Sequence, residues 1–226
     1  VQEPEKRLVA DLIRPSDLVV LVIPIDKAAP KGRLILPQQQ VIRELLDVGV
    51  RMLVVRDDRL GDALDRIGEK PALVITDSQV FREVSKITPK EVYLTSFSIL
   101  FARYKGDLKH TVQVLKTIKD GDNILISEGC THRRQCGDIG TEKLPEWIRN
   151  YTGKSPEFSF TSGTEFPQDL SPYRLIVHCG GCMLNEKEMR YRYACAQRQG
   201  IPMTNYGILI AFIHGILERS LEIFEV

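Results

Sequence analysis

Two groups of residues in this chain have the types and spacing that suit metal chemistry. One is Cys130-Thr131-His132; the other, about 45 residues further on, is His178-Cys179-Gly180-Gly181-Cys182. The glycine pair between Cys179 and Cys182 lets the backbone turn tightly, so both sulfurs can face one centre. Cys182 is expected to open the helix that follows. A helix N-terminus offers unpaired N–H groups and a positive dipole end, which lower a thiol's pKa and favour an anionic centre. Three thiolates and a histidine suit structural zinc; they equally suit a 4Fe-4S cubane with three thiolates and one exchangeable iron. Residue chemistry leaves these two near even. A redox dithiol of Cys179 and Cys182 ranks third, because a thioredoxin-like Cys-x-x-Cys follows the first strand of its domain and this one follows a late strand.

Each group sits just past an apolar run of strand length, Asn123–Ser127 and Tyr173–Val177. In an open α/β sheet, ligands gather outside the carboxyl ends of strands where crossovers diverge, so two separated strand ends could bring the groups together. The rest of the chain fits that plan. Strands are expected at Leu18–Pro24, Met52–Val55, Ala72–Ile75 and Val92–Thr95, alternating with helices over Gln38–Asp47, Leu60–Ile67 and Val80–Ser85 capped by Asp77. After Ser96 come helices over Ile99–Tyr104 and His110–Ile118. A second alternation follows, with Leu144–Tyr151 and Asn185–Gln197 as helices and Phe158–Phe160 and Ile201–Met203 as short strands. Continuous apolar strands alternating with helices predict α/β structure: two small, mostly parallel sheets with helices on both faces, one over 1–95 and one over 96–226.

The bulk properties exclude several classes. With 43% hydrophobic and 27% charged residues and a net charge of +1, the chain has the balance of a globular protein. No field argues for nucleic acid or an anionic membrane. Gly207–Phe224 is the most apolar stretch, but its uninterrupted part is about eleven residues against the roughly twenty that span a bilayer. It reads as a buried C-terminal helix with His214 as a core histidine. Five cysteines without a secretory signal point to a reducing, cytoplasmic setting and to metal or redox use. Cys136 reads as a loop or half-buried thiol and Cys195 as core. The absence of an initiator Met before Val1 reads as a fragment with sequence missing upstream.

The combined pattern resembles the HydF family, the scaffold and carrier proteins of FeFe-hydrogenase maturation. The cysteine motif carries the resemblance, together with Val22-Ile23-Pro24-Ile25-Asp26-Lys27-Ala28-Ala29-Pro30-Lys31-Gly32, Leu36-Pro37-Gln38-Gln39-Gln40, Glu128-Gly129-Cys130, Asp138-Ile139-Gly140 and Phe160-Thr161-Ser162-Gly163. The resemblance implies that residues 1–95 form a dimerisation domain and 96–226 a cluster-binding domain. It also implies that Cys130, Cys179 and Cys182 hold a 4Fe-4S cluster, with His132 and His178 as candidates either for a labile fourth ligand or for residues that support the ligands from behind. The implied function is to assemble or deliver a transient diiron subcluster precursor. The implied partners are radical-SAM hydrogenase maturases, apo FeFe-hydrogenase and a second copy of the chain. The family's GTPase domain would precede these two. No Gly-x-x-x-x-Gly-Lys-Ser/Thr loop occurs here, so this chain is not expected to be an enzyme. Arg133-Arg134 stands where the family motif often continues with a second histidine.

Overall fold

The computed structural model describes residues 7–25, 34–105, 112–129, 138–181 and 183–224. It contains two compact units, Val1–Tyr104 with His214–Val226, and Lys105–Ile213.

The first unit is built on a parallel sheet of β1 (Leu18–Val22), β2 (Arg51–Val55), β3 (Leu73–Thr76) and β4 (Tyr93–Ser96), in the order β2-β1-β3-β4. Strand β1 is hydrogen-bonded on both sides, with Val20 opposite Leu53 and Val74. All five of its residues are buried, which is why the run is apolar without alternation. The strand expected at Leu18–Pro24 is thus central, and among the described residues the edges of this sheet are β2 and β4.

The helices of this unit are α1 (Leu36–Asp47), α2 (Leu60–Arg66), α3 (Phe81–Ile87) and α4 (Phe97–Lys105). The strand order reverses between β1 and β3, so right-handed crossovers place α1 on one face and α2 and α3 on the other. Val41 and Leu45 of α1 pack with Val19, Leu21, Leu73 and Ile75, and Phe97, Leu100 and Phe101 of α4 join the same core. Asp77 does act as a cap, accepting from the Gln79 N–H, but for a short 3-10 turn that leads into α3.

Glu44 of α1 ties down the segment before β1. Its carboxylate accepts backbone N–H bonds from Leu8 (3.0 Å), Val9 (2.9 Å) and Ala10 (2.8 Å). All three of those residues are buried. Glu44→Ala is expected to cost about 2–3 kcal/mol, since hydrogen bonds to a charged acceptor contribute about 1.5–3 kcal/mol and several donors are left unpaired. Urea unfolding measures the loss. Early proteolytic cleavage before Leu18 would locate it.

The second unit repeats the same strand order. Its sheet is β6-β5-β7-β8, all parallel, from β5 (Asn123–Ser127), β6 (Glu157–Thr161), β7 (Tyr173–His178) and β8 (Met203–Asn205). Helix α5 (Leu144–Thr152) and helix α7 (Tyr206–Ile213) cover one face. There Leu144, Ile148, Leu209 and Ile210 pack with Ile124, Ile126, Leu175 and Val177. Helix α6 (Glu186–Arg198) covers the other, where Met189, Cys195 and Ala196 pack with Leu125 and Ile176. Cys195 is thus a core residue and Trp147 packs at the margin of the first of these cores.

Three local expectations differ. His110–Ile118 is a 3-10 segment over Val112–Thr117, and residues 106–111 lie outside the described residues. The C-terminal stretch is two helices, not one: α7 ends at Ile213, Gly215 takes φ 69°, and α8 (Leu217–Leu221) follows in the first unit. An αL glycine ends a helix because the ladder cannot continue through it. His214 stands half-buried at that break, its pKa lowered by burial and by the Arg82 charge. Among the described residues no helix is long and apolar enough to cross a membrane.

Candidate metal centre

In the second unit the strand order reverses between β5 and β7, and these two strands are neighbours with Ser127 opposite His178. That is the switch point, where crossovers leave in opposite directions and a crevice opens beyond the carboxyl ends. Glu128-Gly129 leaves one strand end and Cys179-Gly180-Gly181 the other. Cys130 and Cys182 are the next residues along the chain from these two segments.

The ladder extends one residue past the register, with the Cys179 N–H donating to the Ser127 carbonyl at 2.9 Å. Beyond it the Cys179 sulfur accepts the Gly129 N–H at 3.0 Å and the Gly181 N–H at 3.4 Å. Both strand-end segments thus aim backbone donors at one sulfur. Such donors favour the thiolate over the thiol, and hydrogen bonds to sulfur tune a bound metal centre.

Two glycines make this approach possible. A Cβ on Gly129 would stand 2.7 Å from Leu184 Cγ and 3.5 Å from Gly181 Cα, so only a bare backbone lets the segments meet. Gly181 takes φ 60°, and a Cβ there would fall 2.7 Å from the Met189 sulfur. Gly180 has nothing within 4 Å of its Cβ position. The tight turn expected of the glycine pair therefore rests on Gly181.

Beneath Cys179 lies a buried polar network. His178 and Arg192 are each 0% exposed. His178 Nδ1 lies 2.7 Å from the Cys179 carbonyl and Nε2 lies 3.0 Å from Arg192 Nη1. A carbonyl only accepts and a guanidinium only donates, so the proton is on Nδ1 and the Nε2 lone pair is taken. His178, expected either as a labile ligand or as a residue supporting the ligands, has both ring nitrogens hydrogen-bonded here, which fits the supporting role. Arg192 also donates to Glu188 (2.8 Å), the Gly163 carbonyl (2.9 Å) and Ser127 Oγ (3.4 Å), and it stacks over Phe166 at 5.0 Å. Thr161 Oγ1 donates to Ser127 Oγ at 3.0 Å. The Phe160-Thr161-Ser162-Gly163 motif thus has a role in holding this network.

On the other side, Tyr206 donates to the buried Glu128 at 3.2 Å. Burial, and then the Glu128 carboxylate, push the Tyr206 pKa well above the usual phenol value, so it remains a proton donor. A Cβ on Gly140 would stand 2.5 Å from both Glu128 Oε1 and the Tyr206 hydroxyl. Asp138 caps the π-helical turn Ile139–Lys143, accepting the Thr141 N–H at 2.9 Å. Glu128 and Gly140, on either side of segment 130–137, thus approach one another closely.

Cys130, His132, Arg133, Arg134, Cys136 and Cys182 lie outside the described residues. Among the described residues no three of His, Cys, Asp and Glu gather to hold a metal. Helix α6 begins at Glu186 with Asn185 as its cap, accepting the Glu188 N–H at 2.8 Å. Cys182 thus precedes the cap and does not open the helix, a correction that follows from Asn being the better capping residue. Arg192 and Glu188 were not singled out from the sequence, though a signal existed. Arg192 falls on the same apolar stripe as Met189 and Ala196, where a charged residue must find buried partners.

The chemistry of the described part fits a metal-bound thiolate, iron or zinc alike: a sulfur with two backbone donors at a crevice, over a buried cation. The fold defines a doubly wound, two-unit α/β protein with Cys179 at the switch point of its second unit. Residues 8–106 match the Hydrogen maturase F dimerization domain and residues 107–223 its tetramerization domain. The chain belongs to this hydrogenase maturation family, and both matched domains are self-association domains. A transcription regulation repressor of the LacI family from Corynebacterium glutamicum matches structurally at 11% identity and TM-score 0.29, over 92% of this chain and 90% of that one. No curated protein sequence matches.

Proposed function

We propose that this chain is the cluster-bearing scaffold of FeFe-hydrogenase maturation, holding a 4Fe-4S cluster on Cys130, Cys179 and Cys182. The observation that carries the reading is the Cys179 sulfur, which takes backbone N–H bonds from the residues next to Cys130 and Cys182. Membership of a hydrogenase maturation family supports the iron–sulfur reading over the zinc one. When bound, the cluster supplies an iron with an exchangeable position. The chain's own part is to fix three sulfurs through the pinned segments and leave the fourth position without a tight ligand. A diiron precursor as cargo can then dock and leave. His132 is the remaining histidine candidate for that position. Radical-SAM maturases and apo FeFe-hydrogenase are the partners in this reading. The chain works in the cytoplasm as a carrier rather than a catalyst.

Anaerobic reconstitution with iron and sulfide tests the proposal. Brown protein with broad visible absorption and stoichiometric sulfide supports it. Colourless, zinc-loaded protein would replace it with a zinc-stabilised interaction module. A reversible Cys179–Cys182 disulfide without bound metal would replace it with a redox dithiol.

The homodimer is assigned to the β2 edge. Past Arg51, which is ion-paired with Glu69 at the start of the strand, this edge carries only the apolar Met52, Leu53, Val54 and Val55, and Val54 is 48% exposed. Val54→Lys is expected to halve the assembly mass in light scattering on the full chain. An unchanged mass would move the interface elsewhere.

A further inference from the structure

We propose that Arg192 and His178 form a buried clamp that positions Cys179, with Arg192 acting as a positioning residue through the imidazole. The inference rests on the cysteine-centre reading above and deepens it.

The clamp is a chain of directed bonds. Arg192 Nη1 donates to His178 Nε2, His178 Nδ1–H donates to the Cys179 carbonyl, and the Cys179 sulfur receives the Gly129 and Gly181 N–H groups. Arg192 is itself held from four directions: Ser127 at the end of β5, Gly163 after β6, His178 at the end of β7 and Glu188 on α6. One side chain therefore braces the ends of β5, β6 and β7 beside Cys179. A core that needed only filling would be served by an apolar residue, because burying a guanidinium is costly without matched acceptors. Here Nε, Nη1 and Nη2 each have an acceptor, so the cation is retained for geometry. By keeping the proton on Nδ1, Arg192 sets which imidazole nitrogen faces the Cys179 peptide. That peptide in turn sets where the sulfur points. The same arrangement occupies the histidine lone pair, so His178 acts on the cysteine through its backbone and not as a ligand. The nearby buried charge also belongs to the electrostatics of anything the sulfur binds.

The test compares His178→Ala, His178→Asn and Arg192→Gln in the full chain. Asparagine carries its amide N–H where the imidazole has Nδ1–H, so it can restore the bond to the Cys179 carbonyl. In metal-free protein, hydrogen exchange at the Gly129 and Gly181 amides should quicken about tenfold in His178→Ala and Arg192→Gln, the effect of one lost hydrogen bond. Amides in the middle of β5 and β7 should keep their protection, and His178→Asn should return near to wild type. After reconstitution, Arg192→Gln should keep its iron but show an altered electron paramagnetic signature and a more negative reduction potential. Wild-type exchange at both glycines in His178→Ala overturns the clamp. So does a His178→Asn protein as disturbed as His178→Ala. Should Arg192→Gln fail to fold, the His178 pair still decides. Should wild-type protein take up no cluster, the carrier reading falls while the exchange measurement still decides the clamp.

Discussion

Replacing Cys179 by serine is expected to remove most of the iron from the reconstituted protein, and Cys130→Ser and Cys182→Ser are expected to do the same. A serine oxygen is a poor match for iron–sulfur ligation, and a centre held by three protein ligands tolerates little loss. Cys179 is the proposed ligand whose surroundings the structure describes: its sulfur has two backbone donors in place. A neutral hydroxyl there forfeits the charge those donors favour. Cys136→Ser and Cys195→Ser should retain iron, the latter because Cys195 is packed in the core against α6 neighbours. Iron and sulfide analysis after anaerobic reconstitution reads the series. Near-complete iron in Cys179→Ser would remove that residue from the ligand set. His132→Ala should keep most of the iron and change only the signature of the reduced cluster; full loss would make His132 a structural ligand.

The second large effect is expected at Gly181, and the contrast with Gly180 makes it specific. Gly181→Ala forces a side chain into the left-handed region, which costs about 1–2 kcal/mol. It also drives a Cβ to 2.7 Å from the Met189 sulfur, an overpacking that typically costs about 1–3 kcal/mol. The sum, about 2–5 kcal/mol, should appear as a lower urea midpoint together with weaker iron retention, because the Gly181 N–H no longer meets the Cys179 sulfur. Gly180→Ala meets nothing within 4 Å and should stay within about 0.5 kcal/mol of wild type. Shortening Met189 to alanine in the Gly181→Ala background should relieve the contact but leave the backbone strain. Equal behaviour of the two glycine variants would mean that the turn does not depend on its left-handed residue.

The sequence by itself determined the α/β class, the alternation of strands and helices, and the family. Continuous apolar runs such as Leu18–Val22 and Asn123–Ser127 can be satisfied only by sheets covered on both faces, and that is a one-dimensional signal. The pairing of Cys130-Thr131-His132 with His178-Cys179-Gly180-Gly181-Cys182 was likewise legible as residue type and spacing. Strand order was not. Whether Leu18–Val22 lay at an edge or in the centre depended on which strands bonded to it, and nothing in the run distinguishes these. The role of His178 was also hidden. A histidine beside a cysteine reads as a ligand or as a support for one, and only Arg192, fourteen residues later on a different element and seen at its second nitrogen, separates the two. Arg192 and Glu188 look like an ordinary helical ion pair in sequence. Only the packing of α6 against β5 and β7 puts that guanidinium out of water, where its hydrogen bonds must be made inside the protein. Ligand types are written locally in the chain. The partners that orient them are set by contacts between distant segments, and those exist only once the sheet has formed.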